Sequence, residues 1–192
     1  MTMTQSRVEP PRGRSESVIR RSMLTQLILQ GTVGALVFTS LLLNEDRAGW
    51  RIASVVLFVV WLVAVANVLV QFRALSSWRA LPVRTGETML WGTVAGRLRP
   101  GNRISHAGQF SMSTQRLRYR PGPFARLRGA SAEEWLTEHL QTVSVTPGNG
   151  RVFASGRAIV VETHGGELVT LVSTEPRAVA DDVERALQQA HR

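Results

Sequence analysis

Two long uncharged runs dominate the pattern of apolar and polar positions. Residues 23–43 and 52–72 each hold 21 residues without a formal charge. As helices rising about 1.5 Å per residue, each reaches roughly 30 Å, the depth of a bilayer's hydrocarbon layer. The second, IASVVLFVVWLVAVANVLVQF, is rich in β-branched residues, but strands stop well short of this length. The first is more polar, with Thr25, Gln26, Gln30, Thr32, Thr39 and Ser40. Neither carries the charged face of a soluble helix. The pattern predicts a two-helix transmembrane hairpin over 23–72, turned within NEDRAGWR (44–51). A cleaved signal peptide fits poorly: the leader is long, no A-x-A site follows Leu43, and a second span comes almost at once.

Beyond residue 84 the period changes. Short apolar stretches at 88–98, 103–113, 115–120, 141–146, 158–164 and 167–173 alternate with turn signals such as Pro100-Gly101-Asn102, Pro121-Gly122-Pro123 and Pro147-Gly148-Asn149-Gly150. Gly165-Gly166 suits a two-residue hairpin with positive φ at both positions. An antiparallel sheet or barrel of six or seven strands is expected. At 175–190, Val179, Val183, Ala186, Leu187 and Ala190 recur at helical spacing. Ser173 or Thr174 can cap this helix, Pro176 fits its first turn, and Asp181, Asp182 and Glu184 fall on its outer side. Ser131-Ala132-Glu133-Glu134 matches a capping box, which sets a short helix against a strand before Gln141. The division is a polar cytoplasmic tail 1–22, disordered to about Glu16, a hairpin 23–72, a linker 73–84 and a domain 85–192.

Charge orients these pieces. The chain has 192 residues and a net charge of +9, all 23 basic residues are arginine, and no cysteine occurs. Disulfides, Cys-ligated metals and thiol chemistry are excluded. Full replacement of lysine by arginine fits the codon bias of a high-GC bacterium. Residues 1–22 carry five Arg against Glu9 and Glu16, a net of +3, and 23–72 are neutral. Residues 73–128 carry eleven Arg against Glu87, a net of +10, and 129–192 sum to −4. Basic residues flank the outer ends of the hairpin: Arg20 and Arg21, then Arg73, Arg79 and Arg84. The positive-inside rule puts both termini in the cytoplasm of a plasma membrane crossed twice. Trp61, near mid-span, is packed or lipid-facing. Asn67 lies level with Gln26 and Gln30 across the hairpin and either bonds to one of them or meets water at the headgroups. Gly31, Gly34 and Ala35 could mediate self-association. The spans hold no ionisable residue, which argues against a transporter or proton path.

Three segments of the domain are similar to known ones. SMSTQRLRYRP (111–121) resembles the strand-turn-strand stretch of bacterial PH-like and GRAM-like domains, with Ser113-Thr114 departing from their usual Leu-Thr. WLTEHLQTVSV (135–145) resembles their strand of Trp, Leu and Val, and AIVVETHGGELVTLVSTEP (158–176) their final hairpin and helix. The resemblance implies an α+β domain, a PH-like antiparallel β-sandwich or barrel capped by one C-terminal helix. It also implies a strand at 131–140, a high-GC actinobacterial source, and a non-enzymatic module; eukaryotic members bind phosphoinositides or peptides.

Candidate chemistry is sparse. His106, His139, His164 and His191 form no metal-spaced pair, and no nucleophile elbow or phosphate-binding glycine loop occurs. Glu133-Glu134 and Asp181-Asp182 are adjacent, so they do not converge on one substrate and read as solvated. No enzyme activity, cofactor or metal is expected. The lead is the arginine-rich stretch of Arg97, Arg99, Arg116, Arg118, Arg120, Arg126 and Arg128. Arg116, Arg118 and Arg120 alternate with Leu117 and Tyr119, so a strand puts them on one face. That face either holds anionic lipid headgroups or is a polar surface ion-paired with the acidic 129–192 segment. The expected function is a membrane-anchored module binding anionic lipid or docking a membrane-protein partner. The alternative is a scaffold subunit without lipid specificity. Nucleic acid is not an expected partner, because a lone Tyr119 supplies no stacking platform.

Overall fold

The computed structural model describes residues 14–43, 48–77, 83–101, 104–147 and 157–192. Residues 1–13, 44–47 of the turn between the spans, 78–82 with Arg79 and Pro82, 102–103 and 148–156 lie outside them. The chain divides into two units, Ile19–Arg73 and the remainder.

The first unit holds residues 19–73 of helices α1 (Arg14–Leu43) and α2 (Ala48–Ser77), whose outer ends belong to the second unit. Both are long and apolar enough to cross a membrane. Ile28, Leu29, Leu36, Ile52 and Val60 are exposed rather than packed inward. The helices meet where one side chain is missing and another is large. A Cβ at Gly34 would overlap the Trp61 indole, whose Nε1 donates to the Gln30 carbonyl at 2.6 Å. Phe58 stacks on Trp61 at 5.4 Å, and Arg20 lies over the Phe72 ring at 5.1 Å. Of the two readings of Asn67, the amide bridge is not formed. Gln26 is exposed, and no hydrogen bond joins Asn67 to Gln26 or Gln30. An indole N–H against an apolar helix needs an acceptor, and the glycine lets it reach a backbone carbonyl instead.

Seven strands form one antiparallel sheet in the order β4-β3-β2-β1-β7-β6-β5. They are β1 (Met89–Leu98), β2 (His106–Ser113), β3 (Arg116–Pro121), β4 (Glu133–Leu136), β5 (Leu140–Pro147), β6 (Arg157–Thr163) and β7 (Leu168–Val172). One-turn helix α3 (Pro123–Leu127) sits between β3 and β4, and α4 (Pro176–Ala190) follows β7. An antiparallel sheet of seven strands followed by one C-terminal helix is the arrangement expected from the sequence. Segment 131–140 resolves as a short strand followed by one 3-10 turn, Thr137–His139. The core combines Phe110, Met112, Leu117, Tyr119, Ile159, Val161, Val169 and Leu171 with Val179 and Val183 of α4.

Four local expectations need correction. The β6–β7 connection is the four residues 164–167, in which Gly166 but not Gly165 has positive φ and Thr163 N donates to the Glu167 carbonyl. The first residue before α4 is Glu175, and its backbone N–H, rather than the helix interior, is met by Ser173 Oγ. Asp182 is buried rather than outward. Its Oδ2 accepts from the backbone N–H of Ser15 at 2.8 Å and from Ser15 Oγ, while Arg185 pairs with Oδ1. Residues 14–22 are accordingly helical rather than tail, with Ser15 and Glu16 buried. A carboxylate at a helix start satisfies amides that no helical carbonyl reaches. The last turn of α2 is treated similarly: Gln109 Nε2 donates to the Ala74 carbonyl at 2.8 Å and to Ser77 Oγ at 3.0 Å, and Leu75 is fully buried.

Candidate functional site

The seven arginines separate into three groups. Arg97, at the end of β1, pairs in register with Leu171 and so faces the core. Only 3% exposed, it donates from Nε to Glu133 at 3.0 Å and from Nη1 to the Leu98 carbonyl, with Trp135 5.2 Å from its guanidinium. Arg99 holds the other Glu133 oxygen at 2.7 Å and Ser131 Oγ at 2.8 Å. Trp135 Nε1 donates to Glu167 at 3.0 Å. Tyr119 stands beside Glu133 in register and donates to the His106 carbonyl at 2.8 Å. Burial, and then the Glu133 charge, push its hydroxyl up to about 12 against the opposing pull of Arg99 and Arg97.

The second group lies on the opposite face of β3. Arg116 and Arg118 flank Glu87, at 3.1 and 2.9 Å, and both reach Glu134, at 3.1 and 3.5 Å. The Glu87 side chain is wholly buried. A guanidinium removed from water must be paired, and these carboxylates pair it. The expected seven-arginine surface therefore contracts. Arg97, Arg99, Arg116 and Arg118 are engaged by Glu133, Glu87 and Glu134.

Arg120, Arg126 and Arg128 remain, all exposed and, among the described residues, without a carboxylate partner. They surround α3. Gly122 N donates to the Ala107 carbonyl at 2.9 Å, tying the turn to β2, and Pro123 supplies the first helical position. At the other end Ala130 N returns to the Ala125 carbonyl and Gly129 N to that of Arg126, at 3.0 and 2.9 Å. That bond pair with Gly129 at φ 78° is a Schellman termination. Ala125 points inward, whereas Phe124 and Leu127 are 45% and 84% exposed. Arg126 Nε also donates to the Pro121 carbonyl at 3.1 Å. In the sequence Pro121-Gly122-Pro123 marks a turn, and neither Phe124 nor Leu127 after it was among the candidate site residues. Proline at the first helical position and glycine just past the last were the available signal.

No family model matches the sequence, and no curated protein does. Solved structures similar to the chain include the N-terminal PH domain of Vps36, at 18% identity and a TM-score of 0.43 over 56% of this chain and 84% of that one. The C-terminal domain of an unknown protein from Leishmania infantum is similar at 12% identity and 0.41, over 54% and 86%. A structure of inhibited Vav1 gives 9% and 0.39, over 90% and 31%.

Proposed function

We propose that the chain is a non-enzymatic module anchored in a bacterial plasma membrane by α1 and α2, both termini cytoplasmic, whose PH-like domain binds anionic lipid headgroups through Arg120, Arg126 and Arg128. One observation carries the reading: of the seven candidate arginines, these three surround one exposed turn with no described carboxylate to neutralise them. Anionic headgroups supply the countercharge that no described carboxylate provides. The basic residues at the outer ends of the helices support the orientation, and the covalent tether keeps the domain at high effective concentration near the bilayer.

The test is co-sedimentation of residues 74–192, its fold verified by circular dichroism, with vesicles of phosphatidylcholine alone or with added phosphatidylglycerol. A basic group near an anionic surface contributes about 1 kcal/mol, so replacing all three by alanine weakens partitioning roughly 150-fold. Arg177→Ala, an exposed arginine of α4, leaves it within the effect of one charge. Binding indifferent to anionic lipid, or to the triple replacement, removes the lipid reading. A stoichiometric protein partner recovered from solubilised membranes then takes its place.

A further inference from the structure

We infer that α3 is a membrane-inserting wedge: Phe124 and Leu127 enter the acyl boundary of the same anionic bilayer whose headgroups Arg120, Arg126 and Arg128 engage. This rests on the proposed headgroup reading and deepens it, because arginines alone need only an anion, whereas an apolar tip needs hydrocarbon.

Three features point to lipid. Among the described residues of the β-domain Leu127 is the most exposed large apolar side chain, and Phe124, one turn earlier, is also exposed. Both stand on a turn fixed at each end by backbone hydrogen bonds, with Ala125 as its buried foot, so projecting them costs little further ordering. The charge around them has one sign: Arg126 and Arg128 come from α3 and its C-cap and Arg120 from the end of β3, while Glu133 and Glu134 are held by other arginines. An apolar tip in a cationic collar complements an anionic interface, where hydrocarbon lies a few ångströms below phosphate. A groove in a partner protein would take the apolar pair without requiring the collar to be uniformly positive.

The absence of cysteine gives a background-free test in the full chain. Leu127→Cys, and Ser144→Cys at an exposed position on β5, are each labelled with an environment-sensitive NBD probe. The proteins are reconstituted into nanodiscs of phosphatidylcholine with or without phosphatidylglycerol. Because Leu127 is largely exposed, its replacement leaves the fold intact. In anionic discs the Leu127 probe is expected to shift to the blue and to be quenched several-fold by lipids carrying a doxyl group near the top of the acyl chain. The Ser144 probe should show neither change. Energy transfer to a headgroup-attached acceptor is measured in parallel and reports docking without insertion. Transfer that rises with anionic lipid while doxyl quenching stays at the Ser144 level overturns the wedge and leaves the arginine reading standing. No rise in transfer overturns both. A blue shift without doxyl quenching means a protein groove covers α3, which also overturns the wedge.

Discussion

Replacing Glu87 by alanine should destabilise the domain far more than replacing Glu134, although both carboxylates serve the same two arginines. The Glu87 side chain is wholly buried and lies 3.1 Å from Arg116 and 2.9 Å from Arg118, and it accepts from the Arg84 amide at 3.3 Å. Without it Arg118, itself 9% exposed, keeps Glu134 at 3.5 Å. Removing one partner of a buried ion pair costs about 3–5 kcal/mol, because the remaining charge stays out of water. Glu134 offsets some of this, so the lower end applies, about 3 kcal/mol, a large share of the stability typical of a domain. Glu134 is 49% exposed, and its loss should cost no more than about 1 kcal/mol. Hydrogen exchange of the full chain in micelles reads the difference on the β3 amides: roughly 150-fold faster exchange for Glu87→Ala, a few-fold at most for Glu134→Ala. Pairing Glu87→Ala with Arg118→Met should restore most of the loss, since the stranded charge is gone. Equal, small effects from both single replacements would refute the claim that burial of Glu87 holds this face together.

Two further outcomes follow from named contacts. Tyr119, the chain's only tyrosine, has a folded pKa of about 12 against 10.0; below pH 10 both states are protonated, and between pH 10 and 12 the unfolded chain releases a proton that the folded chain keeps. Stability therefore falls by about 3 kcal/mol across that window, absorbance at 295 nm titrates the single phenol, and Tyr119→Phe abolishes the alkaline limb. In the hairpin, Gly34→Ala drives a methyl into the Trp61 indole and should cost about 1–3 kcal/mol; SDS-induced unfolding followed by circular dichroism measures it, and adding Trp61→Phe should relieve the overlap.

What was legible in the sequence was whatever repeats. Twenty-one uncharged residues have one economical solution in lipid, and the Val179/Val183/Leu187 spacing places α4 without reference to anything else. Whatever depends on distant partners was not legible. Asp182 reads as an outward acid until Ser15, 167 residues away, is brought against it. Arg97 and Arg120 look alike in a basic run, yet pairing with β7 turns one toward the core while the other stays exposed. The hairpin contact was misplaced for a different reason. Amides attract attention as polar groups in an apolar run, but the close approach is made at Gly34, where nothing protrudes.

The adjacent acids of β4 show how a correct local argument can miss a role. Neighbouring residues on a strand point to opposite faces, so Glu133 and Glu134 cannot converge on one substrate. The same geometry lets them serve two arginine pairs at once, Arg97 and Arg99 on the core side and Arg116 and Arg118 on the other. With four residues paired only to β3, β4 has little else to fix its register. A slip of one position would turn Glu133 to the outer face and Glu134 toward the core, leaving each carboxylate on the wrong side and Trp135 off the Arg97 guanidinium. The ion pairs therefore specify where the edge strand sits, whatever they add to net stability. Since the chain turns from β3 into α3 and returns through β4, the same pairs also fix both ends of the segment that presents Phe124 and Leu127. Four arginines position the turn so that three others can face outward from it.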